Sequence, residues 1–214
     1  MRDDLVEVIC ILDRSGSMEK IASDAIGGFN NLLKEQKELD GEVNMTLVLF
    51  DHEYDLVHDC VDIQKVPDLT KKEYFPRGLT AYRDAVGRTI DSVGKRLTDM
   101  DEKDRPFKVI VAIVTDGLEN ASKEYSPEQI KEKIKTQQEQ FKWEFLFLAA
   151  NQDAIEAGAA LSIGSKHTFN YSATSKGTRS AYSSLSNVVG MSRSGKTDYD
   201  LSKLQADPDK EDES

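Results

Sequence analysis

Three groups of oxygen-bearing side chains carry the chemistry this sequence suggests. Asp13, Ser15 and Ser17 alternate in the stretch DRSGS, directly after the apolar run LVEVICIL. One carboxylate and two hydroxyls so spaced are hard donors, which suit Mg²⁺ better than a softer ion. Thr80 in GLTAYRDAV and Asp116 in VTDG offer the same donors at two distant points. Two carboxylates balance a divalent charge and hydroxyls add donors without charge. An ion held this way keeps affinity for one further anionic oxygen, such as a Glu or Asp carboxylate of a partner. The plainer reading of 13–17 is a strand end and a turn, with Ser17 capping the helix that follows.

To meet, these residues need strands that end side by side. The runs at 5–12, 43–50, 108–115 and 143–150 are nearly continuously apolar and rich in β-branched residues, the pattern of strands buried on both faces. Weaker strands are predicted at 54–63, as the edge partner of a hairpin, and at 167–171. Helical spacing marks 18–39, 81–97, 153–161 and 178–189, and Ser126-Pro127-Glu128-Gln129 reads as a capped helix start. Gly27 and Gly28 interrupt the first helix, which close packing on the sheet would explain. The alternation predicts a three-layer, doubly wound α/β domain, mostly parallel with one antiparallel edge strand. In such a sheet the carboxyl ends of the central strands converge on one crevice, which would gather Asp13, Thr80 and Asp116 there.

With those residues in view, the chain resembles the von Willebrand factor A (vWA) family. Asp13, Ser15 and Ser17 match its D-x-S-x-S motif, Thr80 its second-loop threonine and Asp116 its third-loop aspartate. The resemblance runs from about residue 5 to the last helix. It implies a Rossmann-like vWA fold and a metal-ion-dependent adhesion site that binds protein ligands through Mg²⁺, with Mn²⁺ suited to the same donors. Ser15, Ser17 and Thr80 would touch the metal, and Asp13 and Asp116 would act directly or through water. Arg77 departs from the small residue many relatives carry, and its charge near the metal bears on ligand preference. Small stand-alone members occur in bacteria and their viruses.

Composition narrows the function. The 214 residues carry a formal net charge of −11, which disfavours nucleic acid and anionic membranes as partners. Two cysteines and three histidines make zinc a poor expectation, and Cys10 and Cys60 read as buried free thiols. Neither a signal peptide nor a membrane span is visible, so a cytoplasmic protein is expected. The domain is expected over 1–196, with an acidic, disordered tail at 197–214. Oligomeric state leaves no signal.

Other motifs lead to weaker readings. GMSRSGKT at 190–197 matches the phosphate-binding loop pattern from Gly190 to Thr197, but a helix-like stretch precedes it where a buried strand is needed. Asp13 could serve a phosphate-ester hydrolase, although Ser15 stands where a second Asp would act as general acid. Asp51-His52-Glu53 reads as a solvated turn, and Glu119 and Asp84 as neighbours that could tune the site. The leading expectation is a non-enzymatic, Mg²⁺-dependent binding module. A metal-dependent hydrolase and a nucleotide-binding switch are the alternatives.

Overall fold

In a computed structural model, which describes residues 1–150, 154–196 and 199–203, six strands form one sheet. They are β1 (Arg2–Asp13), β2 (Glu42–Phe50), β3 (Tyr54–Asp62), β4 (Pro106–Thr115), β5 (Glu144–Ala150) and β6 (Thr168–Tyr171). Their order is β3-β2-β1-β4-β5-β6, with β3 antiparallel at one edge and every other pair parallel. The helices are α1 (Ala22–Glu38), α2 (Tyr82–Asp99), α3 (Pro127–Phe141), α4 (Ala154–Ala160) and α5 (Ser175–Arg193).

The two-residue period of the strands divides the core. Val6, Val8, Cys10 and Leu12 of β1 face the side where Phe29 and Leu33 of α1 and Leu185 and Val189 of α5 pack. Ile9 and Ile11 face the other side, with Val86 and Ile90 of α2, Ile130 and Ile134 of α3, and Ala154 of α4. A central strand of such a sheet must therefore be apolar at consecutive positions. Glu7 interrupts β1 at no cost to this scheme. It is buried, accepts a hydrogen bond from Thr46 Oγ1 and is paired with Arg96 of α2.

The predicted capping box at Ser126 and Gln129 is formed in both directions. Gly28 packs on α5, not on the sheet. A methyl group there would lie 2.5 Å from the Tyr182 ring, whereas one at Gly27 would meet nothing within 4 Å. Cys10 is buried, but Cys60 is only half-buried, on a bulged stretch of β3 with φ of +54°. Tyr199 and Leu201 are also buried. The Tyr199 hydroxyl donates to Glu144 Oε2 at 2.6 Å and its ring meets His167 edge-on, so these residues of the expected tail pack against the sheet domain. The rest of the expected tail, 197–198 and 204–214, lies outside the described residues.

Candidate metal centre

Strand order reverses at β1, whose neighbours β2 and β4 lead to opposite edges, and a crevice opens at the carboxyl ends of β1 and β4. Asp13 ends β1 there. Its Oδ2 accepts a 2.5 Å hydrogen bond from Thr115 Oγ1, at the end of β4, and its Oδ1 accepts from the Ser15 amide at 2.6 Å. Ser15 Oγ lies 3.0 Å from Ser17 Oγ, which donates to Asp116 Oδ1 at 2.6 Å. Ser17 lies within a 3₁₀ turn (Gly16–Ile21), and the N-cap of α1 is Ile21, so its hydroxyl serves Asp116 and not the helix.

Thr80 arrives from the loop before α2. Its amide donates to Asn120 Oδ1 at 2.9 Å and its carbonyl accepts from the amides of Asn120 and Ala121. A methyl group at Gly117 would come within 2.9 Å of Thr80 Oγ1 and 3.3 Å of Ser17 Oγ. Both hydroxyls thus crowd the same glycine, the residue after Asp116. All five sequence-identified residues meet in one place.

Burial pushes the Asp13 carboxyl up to about 6, against the hydrogen bonds from Thr115 and Ser15, and the nearby Asp116 adds to the rise. Burial also raises Asp116, opposed by Ser17. Two carboxylates whose ionised forms are disfavoured in this way gain from a cation beside them. The donors are all hard oxygens, and Ser17 and Asp116 line a cleft of about 470 Å³ with Gly16, Glu19 and Lys20. Among the described residues no group of three or more His, Cys, Asp or Glu could hold a metal. Hydroxyls make up most of this donor set, and the residues present fit a small divalent cation.

Several residues that shape the site gave no signal in the sequence. Asp51, expected in a solvated turn, is fully buried and accepts from Arg14 Nε at 3.1 Å and Arg77 Nε at 2.8 Å. Arg14, inside the D-x-S-x-S motif, is buried as well. Arg77 is paired with Asp51 and Glu53, so its charge is taken up there. Thr115 reads only as a strand residue, and Asn120 carries no signature of its own. Glu119 accepts from the amides of Arg83, Ala121 and Ser122, and Asp84 from those of Lys123, Glu124 and Tyr125. These two acids brace the loop after Asp116 against α2. In the glycine-lysine motif, residues 190–193 form the last turn of α5 and Gly195 follows in a left-handed turn, an arrangement unlike strand-loop-helix. Thr197 lies outside the described residues.

No protein-family model matches the sequence, and comparison with curated proteins gives no match. Solved structures do match. The vWF domain of the type V pili tip protein Mfa5 from Porphyromonas gingivalis aligns with a TM-score of 0.60 at 12% identity, over 87% of this chain and 95% of that one. A von Willebrand factor type A structure from Catenulispora acidiphila aligns at 0.58 and 13%, over 85% and 41%. The chain has the von Willebrand factor A fold. Proximal thread matrix protein 1 of the mussel byssus, solved with a zinc occupied MIDAS motif, aligns at 0.59 and 12%, over 86% and 46%. The chain spans less than half the length of the mussel and Catenulispora chains. The six-stranded sheet with one antiparallel edge is the fold expected from the motifs.

Proposed function

We propose that this vWA chain is a metal-dependent protein-binding module that takes a Glu or Asp carboxylate of a partner protein. The observation that carries the reading is the meeting of Asp13, Ser15, Ser17, Thr80 and Asp116 at the ends of β1 and β4. Ser15, Ser17 and Thr80 would give neutral donors to a divalent ion, Mg²⁺ in the cell or Mn²⁺ in its place, and Asp13 and Asp116 would give the balancing charge. The mussel protein's zinc occupied motif supports a divalent metal on this fold. When bound, the ion supplies Lewis acidity toward one more anionic oxygen.

The chain's own side chains do the rest. Asp13 is oriented by Thr115 and the Ser15 amide, each donating to one of its oxygens and leaving each oxygen a further lone pair for a cation or a water. Leu79 and Leu118, next to Thr80 and two residues after Asp116, are 56% and 67% exposed. Apolar side chains in those positions suit contact with a protein surface better than with a small polar solute. Among the described residues no helix is long and apolar enough to cross a membrane, and Cys10 and Cys60 are free thiols. The free thiols are compatible with the reducing, cytoplasmic setting expected from the sequence.

Thermal unfolding with and without Mg²⁺ or Mn²⁺ tests the metal. Saturation at about a hundredfold over Kd adds roughly 2.7 kcal/mol to wild type, and Asp116→Ala loses that gain. Capture of acidic peptides on the immobilised protein tests the ligand. Binding that needs both the metal and Thr80 supports the module, and equal binding in EDTA refutes it.

A further inference from the structure

The most elaborate polar assembly beside the site is centred on Asp51, which would not itself touch a metal. Its Oδ2 accepts from Arg14 Nε at 3.1 Å and Arg77 Nε at 2.8 Å. Its Oδ1 accepts from the Glu53 amide at 2.8 Å and lies 3.1 Å from His52 Nδ1. Its carbonyl accepts from the Ala81 amide at 2.9 Å, next to Thr80. Arg14 sits between Asp13 and Ser15, and Arg77 three residues before Thr80, so one carboxylate grips both donor-bearing loops.

The grip is reinforced on each side. Arg14 Nη1 donates to the Glu73 carbonyl at 3.1 Å, and Arg14 Nη2 is paired with Asp55. The Phe75 ring lies 5.0 Å from the Arg14 guanidinium carbon and 5.1 Å from that of Arg77, in cation–π range of both. The loops are also joined through the backbone, from the Arg77 amide to the Arg14 carbonyl at 2.9 Å and from the Gly16 amide to the Gly78 carbonyl at 3.2 Å. Gly78 has φ of +66°, and a methyl group there would come within 2.1 Å of His52 Nδ1. His52 therefore occupies space that only a glycine leaves open.

We propose that Asp51 is a positioning residue for the metal centre, holding the Ser15–Ser17 loop and the Thr80 loop at one separation through Arg14 and Arg77. The inference rests on the metal-binding reading and adds a determinant of its affinity. Three hydroxyl donors from two separate loops hold an ion well only if the loops are fixed before it arrives. Asp51 and its two arginines do this from the sheet side. Residues that orient metal ligands in this way typically contribute roughly 10- to 100-fold to affinity.

The test compares wild type with Arg77→Met, Arg77→Lys, Asp51→Asn and, as a control, Lys95→Met, which breaks only the exposed pair with Asp99 in α2. Mn²⁺ affinity is read from the free-ion paramagnetic resonance signal. Amide exchange at Gly16 and Ala81 is read in EDTA. Arg77→Met is expected to weaken Mn²⁺ binding by about tenfold or more and to speed exchange at both amides, while the protein stays folded. Arg77→Lys should recover part of both losses, and Lys95→Met should change affinity by less than about twofold. A folded Arg77→Met that binds Mn²⁺ like wild type, or exchanges at the wild-type rate, overturns the proposal. Asp51→Asn should show the larger loss, and if it does not fold, Arg77→Met decides. If wild type binds no Mn²⁺, the metal-binding reading fails, and exchange at Gly16 and Ala81 still decides whether the clamp exists.

Discussion

Asp13 and Thr115 end adjacent strands 102 residues apart in sequence, and the threonine hydroxyl donates to Asp13 Oδ2 at 2.5 Å. With the Ser15 amide on Oδ1, this hydrogen bond fixes the carboxylate on which the DRSGS loop turns. Both residues are fully buried, so water is a poor substitute for either partner.

Thr115→Val keeps the shape and removes the donor. It should cost about 1–3 kcal/mol in urea unfolding with EDTA present, the range for stranding a buried acceptor. An unchanged urea midpoint would show that the bond does not hold Asp13.

The raised carboxyl of Asp13 makes stability depend on pH in a defined direction. Below about pH 4 Asp13 is protonated in both the folded and unfolded chain and costs nothing. Between about 4 and 6 the folded state holds the proton and the unfolded state releases it, so stability falls as pH rises. The stability of wild type minus that of Asp13→Asn should therefore drop by about 3 kcal/mol across that window in EDTA. Saturating Mg²⁺ should offset the drop. A difference that is flat or rises with pH would contradict the assignment.

Two adjacent glycines in α1 should respond oppositely. Gly28→Ala pushes a methyl group into the Tyr182 ring and should cost about 1–3 kcal/mol. Gly27→Ala meets nothing within 4 Å and should stabilise by up to about 1 kcal/mol through helix propensity. Thermal unfolding of the two variants checks the contrast.

Among the described residues the buried Tyr182 hydroxyl has no hydrogen-bond partner, in contrast to Tyr74 and Tyr171, which donate to the carbonyls of Asp13 and Thr115. Tyr182→Phe should be neutral or stabilising, because it removes a desolvated polar group and keeps the ring. A loss above about 1 kcal/mol in urea unfolding would reveal a bond the hydroxyl makes.

The sequence was most legible where local pattern and tertiary role coincide. Nearly continuous apolar runs marked β1, β2, β4 and β5, and Ser126 with Gln129 marked the start of α3. The donors were legible because each stands where an apolar strand stops or a turn closes. What stayed hidden depends on partners far away in the chain. Asp51 looks like a turn residue because nothing local shows that Arg14, 37 residues earlier, is buried against it. Gly27 and Gly28 look alike until α5 lays Tyr182 on one of them. Thr115 reads as one more β-branched strand residue, and only the pairing of β1 with β4 turns its hydroxyl toward Asp13.

The central claim is that these five side chains hold one divalent cation. The most direct measurement is anomalous scattering from crystals grown with Mn²⁺. The expected result is a single strong peak within oxygen-ligand distance of Ser15, Ser17 and Thr80, with Asp13 and Asp116 bound directly or through water. A peak elsewhere, or none at saturating Mn²⁺, would contradict the account.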